Sequence, residues 1–169
     1  MEEVILVNKQ DEETGTMEKL EAHLKGILHR AFSIFIFNNK NEMLLQQRAA
    51  NKYHSGGLWT NACCSHPTPD ETIDEATRKR LKHEMGIDLQ PDFAYKFIYE
   101  SKLDQDLTEH ELDYVYTGIF DGIPAVNQEE VEDWKFVNIK SLRNDLNQHP
   151  DHYTVWFRLI MNHAELKTV

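Results

Sequence analysis

The sequence predicts an α+β fold, an α/β sandwich in which helices flank a mixed β-sheet. Strand patterns that suggest a β-hairpin are followed by an amphipathic helix, further strands and a closing helix, an order typical of helices packed on a sheet. The chain has 169 residues, 40% of them hydrophobic, which is enough for the core of one domain. No internal repeat or low-complexity linker interrupts it, so we expect residues 1–169 to form a single domain.

Each element has its own sequence signal. Runs of β-branched and aromatic residues predict strands, and a turn cluster between the first two predicts a hairpin. The predicted strands are Ala31–Phe37, Met43–Gln47, Phe93–Tyr99, Leu112–Phe120 and Trp134–Ile139. A capping box at Thr72 and Glu75 predicts a helix that continues to Met85 and ends at Gly86. A closing helix is predicted over Tyr153–Leu166.

An irregular stretch, Arg48–Asp70, separates the hairpin from the first helix. It contains glycines and prolines and has few helix or strand signals. A long loop inside a compact domain is usually functional or disordered, and the aromatic Tyr53 and Trp59 argue against disorder. We therefore expect this stretch to carry functional residues.

The charge balance restricts the partners. Eighteen Lys and Arg against 29 Asp and Glu give a formal charge of −11, which argues against nucleic acid or an anionic membrane as the main partner. A small anionic substrate stays compatible with this charge if basic residues cluster locally or a metal supplies positive charge.

The sequence shows neither an apolar run of about 20 residues nor a signal-peptide pattern, so we expect a cytoplasmic protein. Its two adjacent cysteines are expected to be thiols.

Three histidines and two carboxylates are candidate metal ligands. Alternate residues of a strand share a face, so Glu109 and Glu111 can present two carboxylates in one direction. With His23, His29 and His66 they would suit Zn²⁺, Mn²⁺ or Mg²⁺. From spacing alone, solvated surface residues are the more common explanation of such a set.

Cys64 and His66 allow two interpretations. One is a buried thiol beside a hydrogen-bonded imidazole, and the other is a thiol made reactive by nearby charge or metal. A Cys-His nucleophile for acyl transfer is conceivable, but no cysteine-protease signature surrounds the pair.

Basic residues occur on the first helix and in the loop before it. They are Arg78, Lys79, Arg80 and Lys82, with Arg48 and Lys52. A basic helix stretch is most often a solvated face, and the functional alternative is contact with phosphate groups.

The end of this helix resembles the Nudix motif, whose glutamates hold Mg²⁺ on a diphosphate. Aligned on Gly86, the two earlier glutamates of the hydrolase pattern are replaced by Arg80 and His83, and only Glu84 remains. Hydrolysis by this machinery needs several carboxylates to gather Mg²⁺ and activate water. The motif therefore predicts a Nudix-like fold with a different activity.

From about Val4 to Trp156 the chain resembles the type 1 isopentenyl-diphosphate isomerases, which have the Nudix fold. The segments that carry the resemblance are Thr60–Pro67, Leu28–Phe32, Leu45–Arg48, Glu109–Glu111, and Thr14–Lys19 with the following His23. They occur in the family's order and at similar separations. The interval between His23 and His29 is shorter than in some members, so the loop there must differ.

The resemblance implies a role for each matching residue. Cys64, Glu111 and Tyr99 match the catalytic positions. One divalent metal (Mn²⁺, Mg²⁺ or Zn²⁺) is implied at His23, His29, His66, Glu109 and Glu111, and a Mg²⁺ that accompanies the diphosphate at Glu84. Substrate-binding positions are implied at Lys19, Arg48, Lys52, Ser65, Arg80 and Trp156, the last facing the hydrocarbon end.

The implied reaction converts isopentenyl diphosphate to dimethylallyl diphosphate, in isoprenoid biosynthesis, by protonation and deprotonation on opposite faces. A Nudix hydrolase of nucleoside diphosphate derivatives and a non-catalytic metal-binding or regulatory domain are the alternatives. The expected partner is a small diphosphate, and the expected state is a monomer, with a homodimer as the alternative.

Overall fold

The computed structural model describes residues 2–163, with nine strands and four α-helices. The strands are β1 (Glu3–Val7), β2 (Glu13–Glu18), β3 (His29–Phe37), β4 (Glu42–Arg48), β5 (Trp59–Thr60), β6 (Cys63–Ser65), β7 (Asp92–Lys102), β8 (Thr108–Ile119) and β9 (Val131–Asn138). The helices are α1 (Lys19–Lys25), α2 (Ile73–Met85), α3 (Ile139–Gln148) and α4 (Val155–Asn162), with a short 3-10 helix at Pro150–His152.

Strand β3 is the centre of the sheet. It pairs in parallel with β8 over nine residue pairs, from His29 opposite Glu111 to Phe37 opposite Ile119. Its other neighbours, β1, β4 and β6, run antiparallel to it. Strand β8 also pairs with β7, and β4 with β5 and β9, both antiparallel. One parallel pair within an otherwise antiparallel sheet makes it mixed, as predicted.

Helices cover both faces of the sheet because successive strand residues point to opposite sides. On one face, Phe35 and Phe37 of β3 pack with Leu142 of α3 and Phe157 of α4. On the other face, Ile34 and Ile36 of β3 belong to the same apolar cluster as Leu81 and Met85 of α2. The predicted sandwich of helices around a sheet is confirmed.

Helix α2 has the predicted boundaries for the predicted reasons. Thr72 and Glu75 form both hydrogen bonds of a capping box. Gly86 ends the helix in the left-handed region, with φ 67°, where a Cβ would lie 2.4 Å from the Ala125 carbonyl oxygen.

Other predicted elements differ in detail. The strands predicted as a hairpin share only the pair Phe37–Met43, because β3 bonds instead to β8 and β6. Ile139, predicted to end a strand, begins α3, since Asn138 accepts hydrogen bonds from the first backbone N–H groups of that helix. The closing helix spans Val155–Asn162, and its predicted end at Leu166 lies outside the described residues.

Sequence reasoning missed the first two strands, α1 and α3. It also missed that the irregular stretch Arg48–Asp70 contains the short strands β5 and β6, which place its residues at the sheet. Among residues 2–163, no helix is both long and apolar enough to cross a bilayer.

Candidate active site

Three histidines converge on one carboxylate at the start of β3 and β8. His23 lies in the last turn of α1, His29 begins β3, and His66 follows β6. Their Nε2 atoms lie 3.8, 3.6 and 3.0 Å from Glu111 Oε1, in that order. We call His23, His29, His66 and Glu111 the histidine cluster; its candidate ligand atoms all lie within 4.8 Å of one another.

The backbone fixes the orientation of two of these imidazoles. Nδ1 of His23 lies 2.7 Å from the Lys19 carbonyl oxygen, and Nδ1 of His29 lies 2.7 Å from that of Ile27. A carbonyl oxygen only accepts, so each Nδ1 carries the hydrogen and each Nε2 keeps a lone pair. Both Nε2 atoms are buried and have no hydrogen-bond partner.

These unsatisfied nitrogens are what a metal site requires. Ligand histidines usually donate their second N–H to a carbonyl group and direct the other nitrogen at the ion. Burial lowers the pKa of His23 and lowers that of His66 to about 4, which favours the neutral imidazole that binds metals. The histidine cluster therefore fits a divalent cation.

Glu109 is brought to the same cavity but lies outside this four-residue group. The Tyr99 hydroxyl lies 2.7 Å from Glu111 Oε2 and 3.1 Å from Glu109 Oε2. Burial and the charge of Glu111 raise the pKa of Glu109 well above its usual value. Burial also opposes ionisation of Glu111, but the nearby imidazoles of His29 and His66, with Nε2 atoms 3.6 and 3.0 Å from its Oε1, outweigh it and hold the Glu111 pKa well below its usual value. Glu109 as a metal ligand stays a prediction.

The register of β6 separates the two cysteines. Cys63 stands opposite Ile34 and Cys64 opposite Ser33, so the two side chains point to opposite faces of the sheet. Cys63 is fully buried in the core beneath α2. Cys64 is half-buried and lines the cavity that also contains His66 and Glu111.

Two polar side chains hold the Cys64 thiol. Its Sγ donates to Asn61 Oδ1 at 3.1 Å and lies 3.4 Å from Ser33 Oγ. Asn61 is fixed in turn, because its amide nitrogen donates to the carbonyl oxygens of Ile34 and Cys63. Burial, with the nearby Asp113, raises the pKa of the Cys64 thiol.

Asp113 lies behind this thiol. It is buried and accepts a 2.8 Å hydrogen bond from the Ser33 hydroxyl. Burial raises its pKa to about 8, and the charge of Glu111 acts in the same direction. Asp113 and Ser33 thus place a polar pair beneath Cys64.

Four cations also line the cavity, and we call this set the basic end: Lys19, Arg48, Lys52 and Arg80. Arg80 Nε donates to Glu84 Oε1 at 2.7 Å. The other Glu84 oxygen accepts from Gln46 Nε2 at 2.8 Å. The single carboxylate left from the hydrolase pattern is therefore oriented by a cation and an amide.

Trp156 forms an aromatic wall of the cavity. It is 3% exposed, and its ring lies 5.2 Å from the guanidinium carbon of Arg48. His54 packs against it edge-to-face, with ring centroids 5.7 Å apart. Burial lowers the pKa of His54 to about 3, helped by Arg48, so this imidazole is neutral.

Of the 14 residues predicted for the site, 12 line this cavity of about 250 Å³. They are Cys64, Glu111, Tyr99, His66, Glu109, Glu84, Lys19, Arg48, Lys52, Ser65, Arg80 and Trp156. The other two, His23 and His29, complete the histidine cluster beside it.

Sequence reasoning missed other residues of the site. They include Glu2, Ser33, Tyr53, His54, Asn61, Asp113 and Glu130. Strand alternation could have indicated Asp113, which follows Glu109 and Glu111 at two-residue steps. No sequence signal distinguished His54 or Glu130.

Comparisons with known proteins identify the family of the chain. The NUDIX domain family model matches residues 27–158. An isopentenyl-diphosphate Delta-isomerase 2 of Photorhabdus laumondii is 50% identical over 163 residues, 96% of this chain and 92% of the relative. An isopentenyl-diphosphate Delta-isomerase 1 of Aromatoleum aromaticum is 50% identical over 155 residues, 92% of this chain and 88% of the relative.

A solved structure agrees at the level of the fold. The crystal structure of DR0079 from Deinococcus radiodurans superposes with a TM-score of 0.70 at 18% identity, covering 87% of this chain and 90% of that one.

Proposed function

The chain belongs to the NUDIX family and to its isopentenyl-diphosphate Delta-isomerases, and from that membership we propose how it converts isopentenyl diphosphate to dimethylallyl diphosphate. The observation that carries the proposal is one cavity lined by a thiol, a carboxylate–phenol pair, a histidine, a basic end and an indole. An allylic shift needs these groups: an acid, a base, an anchor for the diphosphate, and a wall that does not trap a cation.

The proton exchange is assigned to Glu111 with Tyr99, and to Cys64. One group adds a proton to the terminal CH₂ carbon, and the other removes a proton from C2 on the opposite face, so the double bond moves without net gain or loss of protons. The short Tyr99–Glu111 hydrogen bond supports a role for this pair in holding a proton. Because the reaction is reversible, each group must both donate and accept.

The histidine cluster is assigned to one divalent cation, Mn²⁺, Mg²⁺ or Zn²⁺. Glu109 is assigned to the same cation, because the Tyr99 hydroxyl contacts both Glu109 and Glu111. When bound, such a cation supplies positive charge beside Glu111 and polarises its carboxyl group. The Nε2 atoms of His23 and His29, buried and without partners, support this assignment.

The basic end is assigned to the diphosphate. Lys19, Arg48, Lys52 and Arg80 offer N–H donors, Ser65 lines the same cavity, and Glu84 is assigned to a Mg²⁺ that arrives with the substrate. At the hydrocarbon end, the Trp156 ring would stabilise positive charge on the substrate through a cation–π contact of about 2 kcal/mol.

The two alternatives are less well supported. A hydrolase needs several carboxylates on α2, and Arg80 stands where one of them would be, paired with the remaining Glu84. A purely metal-binding domain does not explain why Cys64 and Tyr99 line the same cavity as His66. Action in the cytoplasm as a monomer, with a homodimer as the alternative, stays part of the proposal.

The test is incubation of the full chain with isopentenyl diphosphate and Mg²⁺, with and without a chelator. We expect an acid-labile allylic product that disappears when the chelator is in excess. Release of phosphate from nucleoside diphosphate derivatives would support the hydrolase instead. Metal uptake with no isomerisation would support the metal-binding domain.

A further inference from the structure

Three of the four cations of the basic end are already paired with carboxylates of the chain. Lys19 Nζ lies 3.1 Å from Glu2, and Arg80 Nε lies 2.7 Å from Glu84. Glu130 takes two cations at once: its Oε2 contacts Lys52 Nζ and lies 3.2 Å from Arg80 Nη2. These ion pairs use donors that an incoming phosphate group would need.

Glu130 is held in this position by its backbone. Its N–H donates to the Asn127 carbonyl oxygen at 3.0 Å, and its own carbonyl accepts from Ala49 N–H at 3.0 Å. The next residue, Val131, begins β9 opposite Arg48. The Glu130 side chain is 18% exposed and lines the cavity. The sheet therefore fixes the Glu130 backbone beside the cavity, and its carboxylate reaches Lys52 and Arg80 from there.

The formal charges of the basic end nearly cancel as a result. Its four cations face three carboxylates, Glu2, Glu84 and Glu130. A diphosphate without a cation would meet little net positive charge and would compete with Glu130 for the N–H groups of Lys52 and Arg80. A diphosphate that carries a divalent cation brings the missing positive charge with it.

We propose that Glu130 is a specificity-determining residue that makes the basic end select a metal-chelated diphosphate over a free one. This inference depends on the proposed function in that it takes the basic end to be the diphosphate site. Glu130 acts through the two cations that it shares: it occupies their donors and contributes one negative charge. Removing that charge should increase affinity for the free anion, an effect opposite in sign to the loss expected when a structural contact is broken.

The test is Glu130→Gln, which keeps the shape and removes the charge, with Glu129→Gln as the matched control because Glu129 is exposed. Binding of inorganic diphosphate to the full chain is measured by calorimetry at low salt, with no added divalent cation and with excess Mg²⁺. Without added cation we expect Glu130→Gln to bind ~10-fold or more tightly than wild type. With excess Mg²⁺ we expect the difference to fall below ~3-fold. Glu129→Gln should match wild type in both conditions.

Unchanged or weaker binding by Glu130→Gln without added cation would overturn the proposal, and would indicate that Glu130 positions Lys52 and Arg80 for the phosphate. Lys52→Met provides a second arm, because it should weaken diphosphate binding in both conditions. Turnover of isopentenyl diphosphate by the same preparations tests the proposed function separately from the role of Glu130. Normal turnover by wild type with no tightening in Glu130→Gln rejects the role of Glu130 alone, whereas no turnover by wild type rejects the proposed function.

Discussion

The two faces of strands β3 and β8 carry two charged clusters of different construction. His29 and Arg30 are neighbours on β3 and point to opposite faces. On one face is the histidine cluster around Glu111. On the other is what we call the Asp11 cluster: Asp11, Arg30, Lys96 and Tyr114. Arg30 Nε donates to one Asp11 oxygen at 2.8 Å, and Lys96 donates to the other at 2.7 Å.

The difference is whether the chain satisfies its own polar atoms. In the Asp11 cluster, both carboxylate oxygens have donors from the chain, and Tyr114 adds a third. In the histidine cluster, Nε2 of His23 and of His29 is buried without a partner. A buried polar atom without a partner costs about 1–3 kcal/mol. A cluster that leaves such atoms is built for a ligand, whereas a cluster that pairs them is built for stability.

The largest effect is expected from the cysteine pair, which also divides between the two faces. Cys64→Ala should lower the turnover number about a thousandfold, because it removes the thiol that we propose exchanges a proton, while the metal content stays that of wild type. Cys63→Ala should stay active and lose about 1–2 kcal/mol of stability, because it leaves a cavity in the core. Turnover assays, metal analysis and thermal unfolding check both variants. Full activity in Cys64→Ala would show that the thiol was assigned wrongly.

The next effect concerns the unsatisfied histidines. His29→Ala should weaken binding of Mn²⁺ or Zn²⁺ by at least about 100-fold, since loss of an outer partner alone costs about 10–100-fold. The control is His149→Ala, an exposed histidine remote from the cluster in sequence, which should bind metal like wild type. Calorimetric titration of metal into the purified chain measures both. Equal metal affinity in wild type and His29→Ala would contradict the metal site.

A substitution in the Asp11 cluster should lower the stability of the fold and leave the activity unchanged. Asp11→Asn keeps a residue that tolerates the left-handed backbone, φ 67°, but removes the charge that Arg30 and Lys96 contact. We expect the free energy of unfolding at pH 7 to fall by about 2 kcal/mol. Turnover and metal content should not change.

The sign of the pH dependence follows from the Asp11 pKa. Burial opposes ionisation, but the hydrogen bonds from Lys96, Tyr114 and Arg30 outweigh it and lower the pKa of Asp11. A lowered carboxylate pKa stabilises the fold above the unfolded-state value, near 4, and that contribution is lost as the pH falls through the folded-state pKa. The stability difference between wild type and Asp11→Asn should therefore be complete at pH 7 and shrink below about pH 4. Denaturant titrations at several pH values measure it, and a difference that grows at low pH would refute the assignment.

The smallest effect is expected from Lys96→Met. The Lys96 side chain is 42% exposed, and exposed ion pairs contribute about 0–1 kcal/mol. The variant should lose less stability than Asp11→Asn, and the loss should shrink further in high salt. A loss equal to that of Asp11→Asn would mean that Lys96, and not Arg30, dominates the cluster.

Local sequence patterns predicted the structural features that depend on residues close together in the sequence. The capping box at Thr72 gave the start of α2, and strand alternation placed Glu109 and Glu111 on one face. The histidine set was different: spacing alone favoured solvated residues, and only the family resemblance indicated convergence. The parallel register that brings His29 opposite Glu111 is set by packing between distant segments, which no local pattern encodes. For the same reason Ser33 was missed, because it meets the thiol only after β6 pairs with β3. Asn61 is close to Cys64 in sequence, but its orientation depends on a hydrogen bond to the distant Ile34 carbonyl oxygen.

The parallel pairing of β3 with β8 also has a consequence for the order of folding. His29 and Glu111 are 82 positions apart in the sequence, so their contact closes a long loop before it gains any pairing energy. Such non-local contacts slow folding. A ligand held jointly by His23, His29, His66 and Glu111 can bind only after this step, and at 100 times its dissociation constant it adds about 2.7 kcal/mol to the stability of the folded chain. Binding of a ligand at the histidine cluster would therefore report that β3 and β8 have paired.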